Sequence, residues 1–154
     1  MPIKVPDNLP ALRALHAESV DIIPQKHAVR QDIRPLRLLL LNLMPKKRDT
    51  EIQFARLFGN TPLQVEMILM TTASYTPQNT EPGYLRRFYR QLDDVRDDYF
   101  DALIITGAPI ETLPFEDVKY WVELTEIMEW SREHCFRRLG VCWGAQALLW
   151  HFHK

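Results

Sequence analysis

Arg138-Leu139-Gly140-Val141-Cys142-Trp143-Gly144-Ala145-Gln146 is the stretch that decides how this chain folds. It reads as a strand over 137–141 that ends in a cysteine and turns at once into a helix over 145–151. Glycines stand two residues before and two residues after Cys142, the G-x-C-x-G spacing of a nucleophile elbow. Such a turn is sharp and tolerates little beyond glycine, so the side chain at its apex stands exposed above a sheet. The helix that follows points its N-terminal amides toward the sulfur, a setting that suits an anionic nucleophile. The competing reading is a packing cysteine, since cysteine is among the most buried residue types. The strand–glycine–cysteine–glycine–helix context favours the nucleophile. Cys135 has no such context and reads as structural.

Working outward, the same strand-then-helix rhythm recurs. Residues 36–43 form a nearly continuous apolar run between Pro35 and Pro45. That pattern fits a parallel strand buried on both faces. Thr50-Glu51-Ile52-Gln53 has capping-box spacing and predicts a helix through Phe58 that stops at Gly59. A second strand is expected over 63–70 and a third over 101–106, the latter ending at Gly107-Ala108-Pro109. Between them, residues 74–89 read as a loop leading into a helix, and 89–96 as a short helical piece. A further helix runs from 115–117 to about His134, with Val118, Trp121, Val122, Thr125 and Met128 expected on its inner face. The fold class is therefore α/β, a parallel sheet with helices on both faces. Residues 1–35 hold five of the eleven prolines (Pro2, Pro6, Pro10, Pro24, Pro35) and no sustained periodicity. They read as an N-terminal extended arm with one short helical turn near 9–16, with Val20, Ile22 and Ile23 docking part of it. Residues 36–154 read as the α/β domain proper.

The bulk composition excludes several classes of function. The 154 residues suffice for one domain with a core. A net charge of −1 gives no electrostatic reason to expect nucleic acid. No apolar run is long enough to span a bilayer, and the N-terminus lacks the apolar region of a secretory signal. Two cysteines seven apart match neither a zinc ribbon nor a redox pair, so no metal is expected and a cytoplasmic location is.

In a parallel sheet, sites form beyond the carboxyl ends of the strands. Residues 42–47, 106–111 and 142–144 gather there. The Trp143 backbone N–H follows the nucleophile and is the expected oxyanion donor. A second donor would come from 106–109 or 45–47. Gly107, with Ala108 beside it, suits close approach of a substrate carbonyl, although Gly-Ala-Pro is also an ordinary tight turn. Lys46 and Lys47 read either as solvated surface or as site cations facing an anionic substrate or a thioester carbonyl. Glu111 lies on the same rim, with a surface carboxylate as the alternative. No histidine fits as general base. His151 is nine residues beyond Cys142, roughly 13 Å up one helix at about 1.5 Å per residue, and His153 is farther. His134 precedes the fourth strand and lies at its amino end, and His16 and His27 belong to the arm.

Taken together, Met1-Pro2-Ile3-Lys4-Val5-Pro6, Ile33-Arg34-Pro35-Leu36, Leu41-Asn42-Leu43-Met44-Pro45-Lys46-Lys47, Thr61-Pro62-Leu63-Gln64-Val65, Thr106-Gly107-Ala108-Pro109 and Val141-Cys142-Trp143 resemble the N-terminal half of the homoserine O-succinyltransferase (transsuccinylase) family of homoserine O-acyltransferases. The resemblance covers essentially the whole chain. It implies a class I glutamine amidotransferase-like (flavodoxin-like) fold, here truncated after the nucleophile helix. It implies acyl transfer from an acyl-CoA to the hydroxyl of L-homoserine in methionine biosynthesis, through a thioester on Cys142, with no resident cofactor. In this family the residue at the place of Glu111 is associated with donor choice, glutamate going with acetyl-CoA and glycine with succinyl-CoA. A buried Glu111 would repel a succinyl carboxylate and accept a neutral acetyl group, so acetyl-CoA is the expected donor. The resemblance also places the catalytic histidine and its glutamate partner in a C-terminal half that has no counterpart here, and implies a homodimer for the complete enzyme. Three alternatives remain beside it: succinyl-CoA as donor, a glutaminase-type amidotransferase using the same elbow, and an inactive fragment. A nucleotide-binding Rossmann domain is disfavoured, because no glycine-rich phosphate loop follows the first long strand.

Overall fold

The computed structural model describes residues 3–20, 22–25, 34–75 and 80–153. Its centre is made of three strands, β3 (Leu36–Leu41), β4 (Val65–Met70) and β6 (Phe100–Ile105), each six residues long. β3 lies between the other two and pairs with both in parallel, Leu41 standing opposite Met70 on one side and Ile105 on the other. That central position explains the unbroken leucine run. Leu39 and Leu41 enter one core with Leu103 and Ile105, whereas Leu40 enters the opposite core with Ile104 and Leu69. A strand with apolar cover on both faces has no solvent side for polar residues to occupy.

The sheet order is β2-β1-β4-β3-β6-β7, all parallel, with β1 (Ile3–Val5), β2 (Ile22–Pro24) and β7 (Cys135–Gly140) completing the path. A two-residue strand, β5 (Tyr89–Arg90), pairs with the carboxyl end of β4, while β1 pairs with its amino end. Helices α1 (Ala11–Ala17), α2 (Lys47–Gly59) and α3 (Pro82–Phe88) supply residues to the core around Leu40. The short helix α4 (Leu92–Val95), α5 (Trp121–His134) and α6 (Trp143–His153) supply the core around Leu41. A single 3₁₀ turn, Phe115–Asp117, precedes α5. No helix among the described residues is long and apolar enough to cross a membrane.

Several elements differ from the sequence expectation. The described part of 1–35 carries the expected short helix, α1, and the expected docking at Ile22, and it adds two strands at the sheet edge, with Ile3, Val5, Leu9 and Leu15 buried. Helix α2 starts three residues before Thr50, whose hydroxyl donates back to the Lys46 carbonyl at 3.2 Å inside the first turn instead of capping a start. The piece expected over 89–96 divides into β5 and α4, the latter begun by a reciprocal Gln91–Asp94 capping box. On α5 the inner face is Trp121, Leu124, Ile127, Met128 and Ser131, while Val122 is 82% exposed. The stripe is rotated by about one residue, or ~100°, from the expected one, because the helix begins only after Val118 has turned inward.

Candidate active site

The elbow is a steric necessity as well as a motif. β7 ends at Gly140 and α6 begins at Trp143, and Cys142 between them has φ 54°, the left-handed region that ordinary residues avoid. A Cβ on Gly140 would sit 2.4 Å from the Ala145 Cα, and one on Gly144 would sit 2.5 Å from the Ile105 carbonyl oxygen and 2.6 Å from that of Thr106. Both obstacles are backbone and cannot step aside. The turn is closed by Gly144 N–H to Val141 O at 3.0 Å, Ala145 N–H to Cys142 O at 3.0 Å, and Gln146 N–H to Cys142 O at 3.3 Å. The Trp143 amide takes no part in these bonds, and the Trp143 ring is 1% exposed, packed among Phe115, Tyr120 and Trp121. The Cys142 side chain is exposed, whereas Cys135 is buried and its thiol is pushed up to about 12 by burial.

The three expected strand-end segments do converge. A Cβ built on Gly107 would lie 3.3 Å from the Cys142 Cβ, 3.7 Å from its Sγ and 3.7 Å from the Met44 Sδ. Buried Thr106 latches two of the segments together, accepting from Leu43 N–H at 2.8 Å and donating to the Gly107 carbonyl at 3.1 Å. Buried Asn42 shapes the 42–47 turn, its side-chain oxygen accepting from Met44 N–H at 3.1 Å and its amide donating to Lys47 O at 3.3 Å. Beside this turn lies a cavity of about 300 Å³ whose walls include Asn42, Met44, Lys47, Thr72, Ala108 and Tyr120.

The two lysines part company. Lys46 is exposed, while Lys47 is 4% exposed and donates from Nζ to the Asn42 carbonyl. Burial pulls the Lys47 ammonium down to about 8, with the Glu51 carboxylate working against that fall. Glu51 itself is fully buried and accepts from the Tyr84 and Tyr89 hydroxyls, each at 2.6 Å. Burial raises its carboxyl, and the two tyrosine donors, Arg48 and Lys47 oppose the rise. The sequence reading assigns no role in the site to Glu51, Tyr84 or Tyr89. The one available signal was the i, i+4 spacing of Lys47 and Glu51 on a helix.

Glu111 is exposed, so the expected burial of its carboxylate is not met within this chain. It lines a second, shallower cavity of about 620 Å³ with Trp143, Gln146, Leu149 and Trp150. No histidine reaches the sulfur through a hydrogen bond among the described residues. His134 faces the Asp98 carbonyl at 3.0 Å, at the amino end of the sheet. His151 pairs with Glu129 at 2.6 Å, bridging α6 to α5. His16 and His153 are exposed, and His27 lies outside the described residues. Among the described residues no cluster of His, Cys, Asp and Glu could hold a metal ion.

Residues 2–154 match the family described as homoserine O-succinyltransferase. A protein of Novosphingobium aromaticivorans named homoserine O-acetyltransferase is 54% identical over 99% of this chain and 51% of its own length. Proteins with the same name from Synechococcus elongatus and Clostridium beijerinckii are 57% and 53% identical, again over 99% of this chain and 51% and 50% of their own lengths. The chain thus spans about half the length of the curated relatives it matches.

Proposed function

From its membership of the homoserine O-succinyltransferase family, we propose that this chain carries the acyl-accepting half of a homoserine O-acyltransferase. The observation that carries the reading is the elbow: Cys142 held at φ 54° between two glycines that admit no side chain, with its sulfur beside Gly107. In the proposed reaction the Cys142 sulfur attacks the carbonyl carbon of an acyl-CoA thioester. The oxyanion that forms is met by the Trp143 N–H, and on collapse the CoA sulfur leaves and takes up a proton. Cys142 then bears the acyl group as a thioester. The hydroxyl oxygen of L-homoserine attacks it, loses its proton to a base, and expels the Cys142 sulfur. Cysteine suits both steps, being a strong nucleophile and a good leaving group. Gly107 and Ala108 line the approach to the sulfur, and the Lys47 ammonium stands as the nearby buried cation.

Acetyl-CoA is the proposed donor. The relatives carry acetyltransferase names, and the Glu111 carboxylate, exposed here beside Trp143 and Gln146, would repel a succinyl carboxylate where the bound acyl-CoA covers it from water. The test is intact-mass measurement after mixing the chain with acetyl-CoA or with succinyl-CoA. One acetyl group should be gained, none in Cys142→Ala, and Glu111→Gly should raise the share of succinyl adduct. Acylation at a site other than Cys142 would overturn the nucleophile assignment. A wild-type preference for succinyl-CoA would overturn the charge argument for Glu111.

A further inference from the structure

Apart from Lys47, the polar groups around Glu51 have no place in the reaction just described, yet they are among the most deeply buried in the molecule. Glu51 sits on the first turns of α2 and is fully buried. Its two oxygens take the hydroxyl hydrogens of Tyr84, from α3, and Tyr89, from β5. The Tyr89 oxygen in turn accepts from the Asn42 side-chain amide at 2.9 Å. Asn42 holds the Met44 amide and the Lys47 carbonyl, and its own carbonyl receives the Lys47 ammonium. The Lys47 Nζ also lies 5.8 Å from the centre of the Tyr89 ring. The contacts form a chain, Glu51 to Tyr89, Tyr89 to Asn42 and Asn42 to Lys47, whose two ends lie one helical turn apart on α2. A buried carboxylate with this many partners is costly to assemble unless the ordered arrangement serves something. What it orders is the 42–47 turn and the cavity wall that Asn42 and Lys47 form there, the turn whose Met44 sulfur lies beside Gly107 and so on the Cys142 side of the sheet end.

We infer that Glu51 is a positioning residue of the site: through Tyr89, Asn42 and Lys47 it sets the 42–47 turn and holds the Lys47 ammonium, as a cation, against the cavity that this turn lines. That this wall serves acyl transfer rests on the reading above; that Glu51 governs Lys47 and the turn does not. Arg48 and Glu51 share the Lys47 helix, and Tyr84 and Tyr89 lie on the elements packed against it. Asp117, Lys119, Tyr75 and Tyr120 line the cavity with it on one side, and Lys46, Asp49 and Glu81 line a cavity with it on another. Of these carboxylates, Glu51 is the one whose charge acts on Lys47, and it opposes the effect of burial.

The experiment follows the Lys47 Cε and Nζ resonances by heteronuclear NMR from pH 6 to 11, assigned by their loss in Lys47→Met. In Glu51→Gln, which keeps the shape of the side chain, the Lys47 titration should move down by about one pH unit or more. Coupling is reciprocal, so in Lys47→Met the Glu51 carboxyl resonance should titrate higher than in wild type. This second arm decides the matter if Glu51→Gln does not fold. In parallel, the pH profile of Cys142 acetylation by acetyl-CoA should shift with Lys47, the rate at pH 8 falling about fivefold in Glu51→Gln as the protonated fraction falls. Tyr89→Phe, which keeps the carboxylate but cuts it from Asn42, should slow acetylation across the whole pH range. An unmoved Lys47 titration in folded Glu51→Gln, or an unmoved Glu51 titration in Lys47→Met, overturns the inference. A wild-type chain that is not acetylated defeats the reading under Proposed function and leaves the two titrations to decide the role of Glu51.

Discussion

At the carboxyl end of β3, Asn42, Lys47 and Glu51 are buried and every one of them has a partner, whereas along β7 and α6 the exposed residues include the apolar Phe136 at 74%, Leu139 at 55% and Leu149 at 62%. The contrast is sharpest in one pair. Leu139 lies in register with Ile104 on the neighbouring strand, yet Ile104 is 3% exposed. The first region is finished by this chain alone, with polar groups placed where only a complete set of hydrogen bonds makes burial tolerable. The second is an edge strand and a helix face that the described residues leave uncovered, in a chain that spans about half the length of the relatives it matches. The site lies between them, with one wall closed and the other open.

Four measurements would break or sharpen that contrast. The largest effect is expected at the hinge between the two regions. Gly144→Ala drives a methyl into the Ile105 and Thr106 carbonyls, and should lower the unfolding free energy by about 3 kcal/mol in urea titration. A loss well under 1 kcal/mol would mean that the elbow is not rigid. Next, Tyr89→Phe leaves both the Asn42 amide and one Glu51 oxygen short of a partner. A cost of about 1–3 kcal/mol is expected, and a neutral result would mean that the finished wall is softer than its bonds suggest.

The third is a pH dependence. Lys47 titrates at about 8 in the folded chain against 10.5 for an ordinary lysine. Between those values the unfolded chain holds a proton that the folded one has shed, so this group makes stability rise with pH across that window. Relative to Lys47→Met, wild type should gain up to about 1.4 kcal/mol per pH unit there. A flat difference would remove the buried ammonium from the account. The smallest effect belongs to the open region. Leu139→Lys should change stability by less than about 0.5 kcal/mol while reducing self-association in sedimentation velocity. A large loss of stability would show that β7 is already packed.

Much of the open side and the elbow was legible in the sequence, and most of the closed side was not. β3, β4 and β6 announce themselves because a strand covered on both faces is apolar but for its amino end, where each carries one charged residue, Arg37, Glu66 and Asp101. The glycines at 140 and 144 announce the turn because no other residue fits. β1 and β2 are three residues each and carry no periodicity, so only their pairing reveals them. The Glu51 cluster escaped for a related reason. Its partners lie 33 and 38 residues away in sequence, and local patterning carries no trace of such contacts. Glu51 therefore passed as part of a capping box that the structure does not form. Val122 was misplaced by a rotation of one residue, the usual fate of a helix whose first turn is mistaken.

The placement of β3 in the middle of the sheet has a consequence for how the chain acquires its reactive cysteine. β3 can pair with β4 as soon as the 42–64 segment has closed, but its other edge waits for β6, about sixty residues later, and β7 can dock only on β6. Contacts so distant in sequence form late. The carbonyls of Ile105 and Thr106, against which Gly144 packs, exist as a surface only once β6 is seated. The elbow therefore has its backing only where β6 is seated, and a chain with β6 displaced carries Cys142 without the turn that presents it.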